Sequence, residues 1–505
     1  MKLAWLPLAL FLCACSPNQD PEVLRLGGPF EFTSQDPSRD GFVYTRLQIA
    51  ETLLDVDNDG QLIPGLAEHW RISPDGLTWQ FDLRHGVRFH DGTPLTAEAA
   101  AHALGIAADK PGVLQSAPIA EVLARDPRTL TVRLSRAYNP LGAVLAHYTT
   151  AILAPSSYRA DGNVAWMHGT GPYRLEEFDP PHRLRVTRVD NYWGEPARIP
   201  QVVYLTGHRA ESRALQVMAG QTDIIYTLDP ASLDLLSRRD DVKVHSDPIP
   251  RTIQIKLNAG HPFLAEREAR QAISQALDRE QIASRIVRVP GGEANQLLPP
   301  SVAGWHDPEL SPIPFDPAGA RALLAGLGWA PSADGILQRD GQRFHLTMIT
   351  YADRPELFIV ATALQAQLRD IGVSLDVSIV NSSGIPSGHH DGSLQMALVA
   401  RNYGNVADPL SMLIDDYGDG GSGDWGAMGW RNEELPALLQ RLTAEPVAAR
   451  YAAGAQRVAA VLAEELPVIP VLFYTQQTAV ASRVENFSFD PYERNYRVSE
   501  MSFAE

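Results

Sequence analysis

Cysteine is almost absent from this chain of 505 residues, occurring only as Cys13 and Cys15. The chain beyond them can form no disulfide, so its stability has to come from packing. Lysine is also scarce, with residues at positions 2, 110, 243 and 256 alone, and acidic residues outnumber basic ones to give a formal net charge of −17. A chain of this charge is a poor partner for nucleic acid, and we expect none.

The sequence also lacks an apolar run long enough to span a membrane, which needs about 20 residues. The run from Leu3 to Leu12 follows Lys2 and is too short, so it indicates an export signal. The segment Leu-Cys-Ala-Cys that ends it resembles the bacterial lipobox, which implies cleavage of residues 1–15 ahead of the lipidated Cys15. Residues 16–22 are then a polar leash. The alternative is a plain secretory signal with incidental cysteines.

Motifs for catalysis or metal binding are missing as well: there is no His-Glu-x-x-His, Cys-x-x-Cys or Gly-x-Ser-x-Gly. Asp55–Gly60 matches the start of a calcium loop, but Leu66 stands where the bidentate glutamate belongs. Gly418–Gly423 fits a dinucleotide fingerprint but follows acidic residues instead of a buried strand. His389 and His390 are expected on a solvated Gly-Ser-rich loop. We therefore predict no enzyme, no metal site and no cofactor.

What the sequence does contain is an alternation of strand and helix patterns. The length predicts two or three lobes, since one hydrophobic core rarely supports so many residues. Strand candidates at 344–349 and 373–380 flank a helix with a 3.6-residue apolar stripe, which indicates an α/β lobe. Asp316 followed by Pro317 is a helix start. From about Arg251 onward the pattern becomes more helical.

The most informative segment is Ile63–Ala97, with turns at Pro74–Gly76 and Asp91–Pro94, an alternating strand between them, and Thr96 as a helix cap. This order resembles the signature of the family 5 extracellular solute-binding proteins of ABC importers. Three further segments look like signatures of the same family, in chain order: Gly169–Tyr173 with Asn191–Gly194, Ala269–Ile273 with Ala276–Arg279, and Phe315–Pro317 with Gly328–Trp329.

The resemblance implies an α/β fold in the form of a periplasmic-binding-protein-like clamshell (type II), with two α/β lobes and an additional subdomain. Lobe I would comprise residues 23–46, 165–250 and 472–505. The extra subdomain would comprise residues 47–164 and pack on lobe I, and lobe II would comprise residues 251–471. Such a protein closes on its ligand and delivers it to a membrane permease.

The same resemblance points to ligand-binding residues. Peptide binders of the family place an aspartate where this chain has Asn405, and an amide cannot offset the desolvation of an ammonium group. Arg354, followed by proline, resembles the arginine by which dipeptide binders hold a carboxylate. Arg401 is a second candidate anion partner, and Tyr403 falls where nickel-binding members place a tryptophan, as a stacking wall.

We therefore predict a non-enzymatic, lipid-anchored receptor that lies in the periplasm or on the outer face of the membrane and acts as a monomer. Its partners would be a small polar ligand and the permease of an ABC importer. Peptide is the first prediction for the ligand, and nickel or another metal as a chelate is the second, supported by Asn405 and Tyr403. The alternative from another class is an exported hydrolase, for which the sequence offers no nucleophile.

Overall fold

The computed structural model describes residues 20–302, 304–419 and 423–504. The predicted signal, Cys15 and the first part of the predicted leash lie outside these residues, as does the centre of the glycine-rich loop.

Strands are the more numerous elements of the described chain. They are β1 Val23–Gly28, β2 Leu54–Val56, β3 Leu62–Pro64, β4 Ala67–Ile72, β5 Thr78–Leu83, β6 Ile119–Asp126, β7 Thr129–Leu134, β8 Tyr173–Asp179, β9 Arg183–Arg188, β10 Gln201–Thr206, β11 Ile224–Tyr226, β12 Val242–Leu257, β13 Ala330–Pro331, β14 Leu337–Arg339, β15 Gln342–Arg343, β16 His345–Tyr351, β17 Ser374–Val380, β18 Met396–Asn402, β19 Val468–Ala481, β20 Val484–Glu485 and β21 Ser502–Phe503.

The α-helices connect and cover these strands. They are α1 Pro37–Arg46, α2 Ala97–Ala108, α3 Leu141–Val144, α4 Ala210–Met218, α5 Pro230–Leu236, α6 Arg267–Gln275, α7 Arg279–Gln281, α8 Pro317–Gly326, α9 Pro355–Asp370, α10 Gly384–His390, α11 Leu410–Tyr417, α12 Leu435–Leu442 and α13 Ala448–Glu465.

A ten-stranded sheet runs through the molecule in the order β17-β16-β18-β12-β19-β11-β1-β10-β9-β8. Its two long central strands, β12 and β19, are antiparallel partners from Val242 opposite Ala481 to Lys256 opposite Val468. The register shifts between Pro248 and Thr252, where two prolines lack the N–H needed for ladder hydrogen bonds. The predicted lobe boundaries at 250/251 and 471/472 fall inside these two strands, and Arg251 lies in a strand, not at the start of a helical region.

Separate hydrophobic cores lie along the sheet. One surrounds β16, β17 and β18 and includes the inner face of α9, whose apolar stripe is completely buried (Leu357, Val360, Ala361, Leu364 and Leu368). Each leucine or valine of this stripe contributes about 1.5–3 kcal/mol by leaving water. A second core surrounds β1, β9 and β10. A third lies between α2 and a separate four-stranded sheet in the order β4-β5-β7-β6.

Local sequence signals account for several helix starts. Thr96 caps α2 by accepting a hydrogen bond from the backbone N–H of Ala99 at 3.2 Å. Asp316 caps α8 in the same way through the N–H of Gly319 at 2.8 Å, with Pro317 at the first helical position. The predicted strand-helix-strand unit is present as β16, α9 and β17, and its two strands are parallel. Among the described helices, none has both the length and the apolar character needed to cross a bilayer.

Candidate functional site

A cavity of about 510 Å³ lies where parallel strands from both halves of the large sheet end. Strands β1 and β10 are parallel to each other, and β16 is parallel to both β17 and β18. Most of the residues that line the cavity follow these five strands closely or lie at their last positions, and Arg251 is contributed by β12. In open α/β sheets this edge is where ligands bind, because loops and helix starts converge there.

Each half of the sheet supplies one wall. Residues 29–31 and His208, which follow β1 and β10, form one side. The other side is formed by residues from β12, β16, β18 and the segments after β16, β17 and β18. A solute in this cavity would therefore contact both halves of the molecule at once, which is the geometry of a cleft that closes on its ligand.

The structure brings together three of the four residues that the sequence pointed to. Arg354, Arg401 and Asn405 all line the cavity. Tyr403 does not: its side chain is 0% exposed, lies in the core beside α11 and α12, and donates a hydrogen bond to Gln254 at 2.7 Å. In this conformation it cannot form the stacking wall that we expected. The reason is that β18 ends at Asn402, and the following turn directs the tyrosine ring inward.

Arg401 lines the cavity, but its charge is already neutralised. Its Nε and Nη2 atoms donate to the two carboxylate oxygens of Asp416, each at 3.0 Å. The side chain of Asp416 is 0% exposed, and burial raises its pKa while Arg401 lowers it. This bidentate pair holds β18 against α11, so Arg401 has less to offer a ligand than its position suggests.

Arg354 differs in that part of its guanidinium group has no partner. It lies directly before α9, and its Nη1 atom is buried without a hydrogen-bond partner among the described residues. The guanidinium carbon is 5.8 Å from the ring centre of Phe30 and 5.5 Å from that of Tyr474, so aromatic faces hold it in place. Burial lowers the pKa of Arg354, but neighbouring Tyr474, Glu493 and Glu356 outweigh this effect and raise it. It is a permanent cation beside the cavity.

Negative charge in the cavity wall is confined to exposed positions. Of the described lining residues, Glu31 and Asp353 are the carboxylates, and both are exposed. Glu31 also lies 3.2 Å from the Nε2 atom of His208. Asn405 provides an uncharged amide. The buried charge of the cavity wall is therefore basic.

Arg251 is a lining residue that our reading of the sequence missed. It lies in β12 on the same face as Ile253 and Ile255, both of which are buried. A charged residue on the apolar face of a strand was the signal that could have identified it. Phe30, His208 and Trp425 also line the cavity and were missed, because they lie far apart in the sequence and carry no motif.

The adjacent histidines are not on a loop, contrary to expectation. Both lie in the last turn of α10, and the Nδ1 atom of His389 is 2.9 Å from the Nζ atom of the buried Lys256. Burial lowers the pKa of Lys256 to about 8. Tertiary packing against this lysine stabilises a helix that its Gly, Pro and Ser content disfavours.

In the described part of the chain, no group of three or more His, Cys, Asp or Glu side chains is suited to holding a metal ion. The Asp55–Gly60 segment comprises the end of β2 and the turn that leads to β3. There one carboxylate oxygen of Asp57 accepts from the backbone N–H groups of Asp59 and Gln61, both at 2.9 Å.

A two-lobed α/β architecture with a polar cavity between its halves is typical of solute-binding proteins. The chain belongs to family 5 of the bacterial extracellular solute-binding proteins. The family model "Bacterial extracellular solute-binding proteins, family 5 Middle" matches residues 61–424. This confirms the family that the sequence resembled. Membership of a solute-binding family also confirms the prediction that the chain is not an enzyme.

Relatives and solved structures agree with this assignment. The nickel-binding periplasmic protein of Escherichia coli (strain K12) is 28% identical over 385 residues, which cover 74% of this chain and 73% of that protein. NikA from Staphylococcus aureus in complex with Ni(L-His)2 superposes with a TM-score of 0.81 at 20% identity, over 95% of this chain and 100% of that one. DppA from Helicobacter pylori in complex with the peptide STSA gives a TM-score of 0.78 at 20% identity, over 95% of this chain and 98% of that one. The predicted α/β clamshell fold is thereby confirmed.

Proposed function

We propose that this protein is the ligand receptor of an ABC importer and that it captures a small solute through a carboxylate held by Arg354. One observation carries the proposal: Arg354 lines a cavity shared by both halves of the sheet, and one of its guanidinium nitrogens is buried without a partner among the described residues. A carboxylate is the natural complement, since an arginine-carboxylate hydrogen bond contributes roughly 1.5–3 kcal/mol.

Peptide is the ligand class that we propose first. A cavity of about 510 Å³ has room for a short peptide, and a peptide carries the required terminal carboxylate. The solved structure of a neighbour with the peptide STSA is consistent with this class.

A metal chelate is the second candidate, and a specific observation favours it. The carboxylates that line the described part of the cavity wall, Glu31 and Asp353, are exposed, and Asn405 is uncharged, so an α-ammonium group would find only a solvent-screened counter-charge. A chelate whose amino groups bind a metal presents carboxylates without a free ammonium. The E. coli relative is named as a nickel-binding protein.

The test is native mass spectrometry of protein purified with its endogenous ligand, followed by thermal unfolding with short peptides and with nickel or zinc chelates. A ligand at 100 times its dissociation constant should stabilise the fold by about 2.7 kcal/mol. Arg354→Ala should remove this shift. Arg71→Ala is the matched control, because that arginine side chain is 67% exposed and lies on β4. An unchanged shift in Arg354→Ala would contradict the carboxylate anchor.

Export and anchoring belong to the same proposal. We propose cleavage before Cys15 and lipidation of that cysteine, which would keep the protein at the membrane near its permease. A tethered receptor searches for its permease in two dimensions instead of three, and each buried methylene of the lipid adds about 0.8 kcal/mol to membrane binding. In cell fractionation, Cys15→Ser should move the protein from the membrane pellet to the soluble periplasmic fraction, while Cys13→Ser should leave it in the pellet. A monomer is expected by light scattering.

A further inference from the structure

Two arginines face the cavity, and one aromatic ring holds both of them. The guanidinium carbon of Arg251 is 5.0 Å from the ring centre of Tyr474, and that of Arg354 is 5.5 Å from the same centre. Arg251 comes from β12 and Arg354 from the start of α9, while Tyr474 belongs to β19. Both arginines line the cavity, and their shared contact with Tyr474 makes the two cations neighbours.

The acids around this pair do not fully balance it. Glu493 accepts a hydrogen bond from the Nη2 atom of Arg251, but its other carboxylate oxygen lies 3.7 Å from the Nη2 atom of Arg46. One carboxylate is thus divided between two arginines, and Arg354 remains beside them. The second acid of the cluster is Glu356, whose pKa is raised chiefly by burial. Three guanidinium groups therefore face one shared carboxylate and one acid that burial biases toward its neutral form.

Both arginines line the cavity, and both keep unused hydrogen-bonding capacity. Arg251 is 4% exposed, and its Nη1 atom, like that of Arg354, is buried without a partner among the described residues. Leaving a buried charged donor unpaired is costly, and two adjacent like charges add repulsion. Burial and the nearby Arg354 lower the pKa of Arg251. An anion that reaches both donors would relieve both costs, whereas a single carboxylate at Arg354 would relieve one of them.

We propose that Arg251 is a second anion-binding residue and that the cavity selects solutes with two neighbouring negative groups, one for each arginine. This inference rests on the proposed function, since it names the class of solute that the same cavity takes. Arg401 is excluded from this role because its Nε and Nη2 donors are already hydrogen-bonded to Asp416.

The test uses two small probes that differ in one charge, succinate and its mono-amide succinamate, titrated at constant ionic strength. Binding is measured by calorimetry and by the shift in Tm. We expect succinate to bind the wild-type protein at least tenfold more tightly than succinamate. In Arg251→Gln this preference should vanish, with succinate falling to the affinity of succinamate. Arg251→Lys retains a charge beside Glu493, which guards against misfolding, and should keep part of the preference.

The outcomes separate this inference from the proposed function. In Arg354→Gln both probes should lose affinity, because the first anchor is gone. A preference for succinate that survives unchanged in Arg251→Gln, or equal affinity of the two probes for the wild type, overturns the role of Arg251 and leaves the Arg354 anchor intact. Absence of binding by both probes to the wild type counts against both proposals.

Discussion

Replacing Arg401 by glutamine should destabilise the protein without abolishing ligand binding. The change removes a guanidinium group that donates two hydrogen bonds of 3.0 Å to Asp416 and leaves the carboxylate of Asp416 in place. That carboxylate is 0% exposed, so water cannot replace the lost donors.

The magnitude follows from the burial of the two partners. Breaking a buried ion pair by removing one member typically costs about 3–5 kcal/mol. The side chain of Arg401 is 19% exposed, and the charge of the nearby Lys256 also acts on Asp416, so the lower end applies. We expect a loss of about 3 kcal/mol. For a lobe of about 200 residues this corresponds to a fall in Tm of roughly 6–12 °C.

A double-mutant cycle measured by urea unfolding and calorimetry tests this reasoning. Asp416→Asn in the Arg401→Gln background removes the unpaired carboxylate and should restore most of the lost stability. A coupling free energy below about 0.5 kcal/mol would refute the pairing. A tenfold or greater loss of affinity for the endogenous ligand in Arg401→Gln, under conditions where the protein is folded, would show that Arg401 contacts the ligand after all.

Three further predictions concern other parts of the chain. Thr96→Ala should lower the free energy of unfolding, measured with urea, by about 1 kcal/mol, because the hydroxyl accepts a 3.2 Å hydrogen bond at the start of α2. Thr96→Ser keeps this acceptor and should keep the stability. Gly171→Ala should lower the free energy of unfolding, measured by calorimetry, by about 1–3 kcal/mol, since the added Cβ would lie 2.0 Å from the carbonyl oxygen of Gln48. Gly105→Ala is the control, because the space around Gly105 is open and no stability should be lost. Burial raises the pKa of Glu51 from 4.5 to about 7, so the folded protein holds a proton that the unfolded chain has released. Stability should therefore fall, by up to about 3 kcal/mol, as the pH rises from 4.5 to 7, and Glu51→Gln should flatten this dependence.

Helices with strong local signals were predictable from the sequence alone. The stripe of α9, the cap of α2 and the Asp316–Pro317 start of α8 depend on spacing within a few residues, and each is present. The helical conformation of His389 and His390 at the end of α10 was not predictable, because His389 contacts a lysine more than a hundred residues away in the chain.

The cavity was predictable only in part for the same reason. Arg354 and Asn405 could be located by comparison with a family pattern, and both line the cavity. The burial of Tyr403 and the pairing of Arg401 depend on partners contributed by β12 and α11. The sequence around Tyr403 and Arg401 does not identify these partners, because they are distant in the chain or carry no motif. The structure therefore gives both residues a structural role in place of the predicted ligand contact.

The pairing of β12 with β19 has a consequence for the order in which this protein can fold. A chain that crosses a membrane emerges from its N-terminus onward, and β19 begins at Val468. Until that strand arrives, β12 lacks one of its two neighbours, and the short β11 joins β1 on one side only. Both halves of the sheet thus remain incomplete until more than nine-tenths of the chain has emerged. The chain should therefore need protection by chaperones until late in its emergence, and truncation before β19 should leave neither half stable.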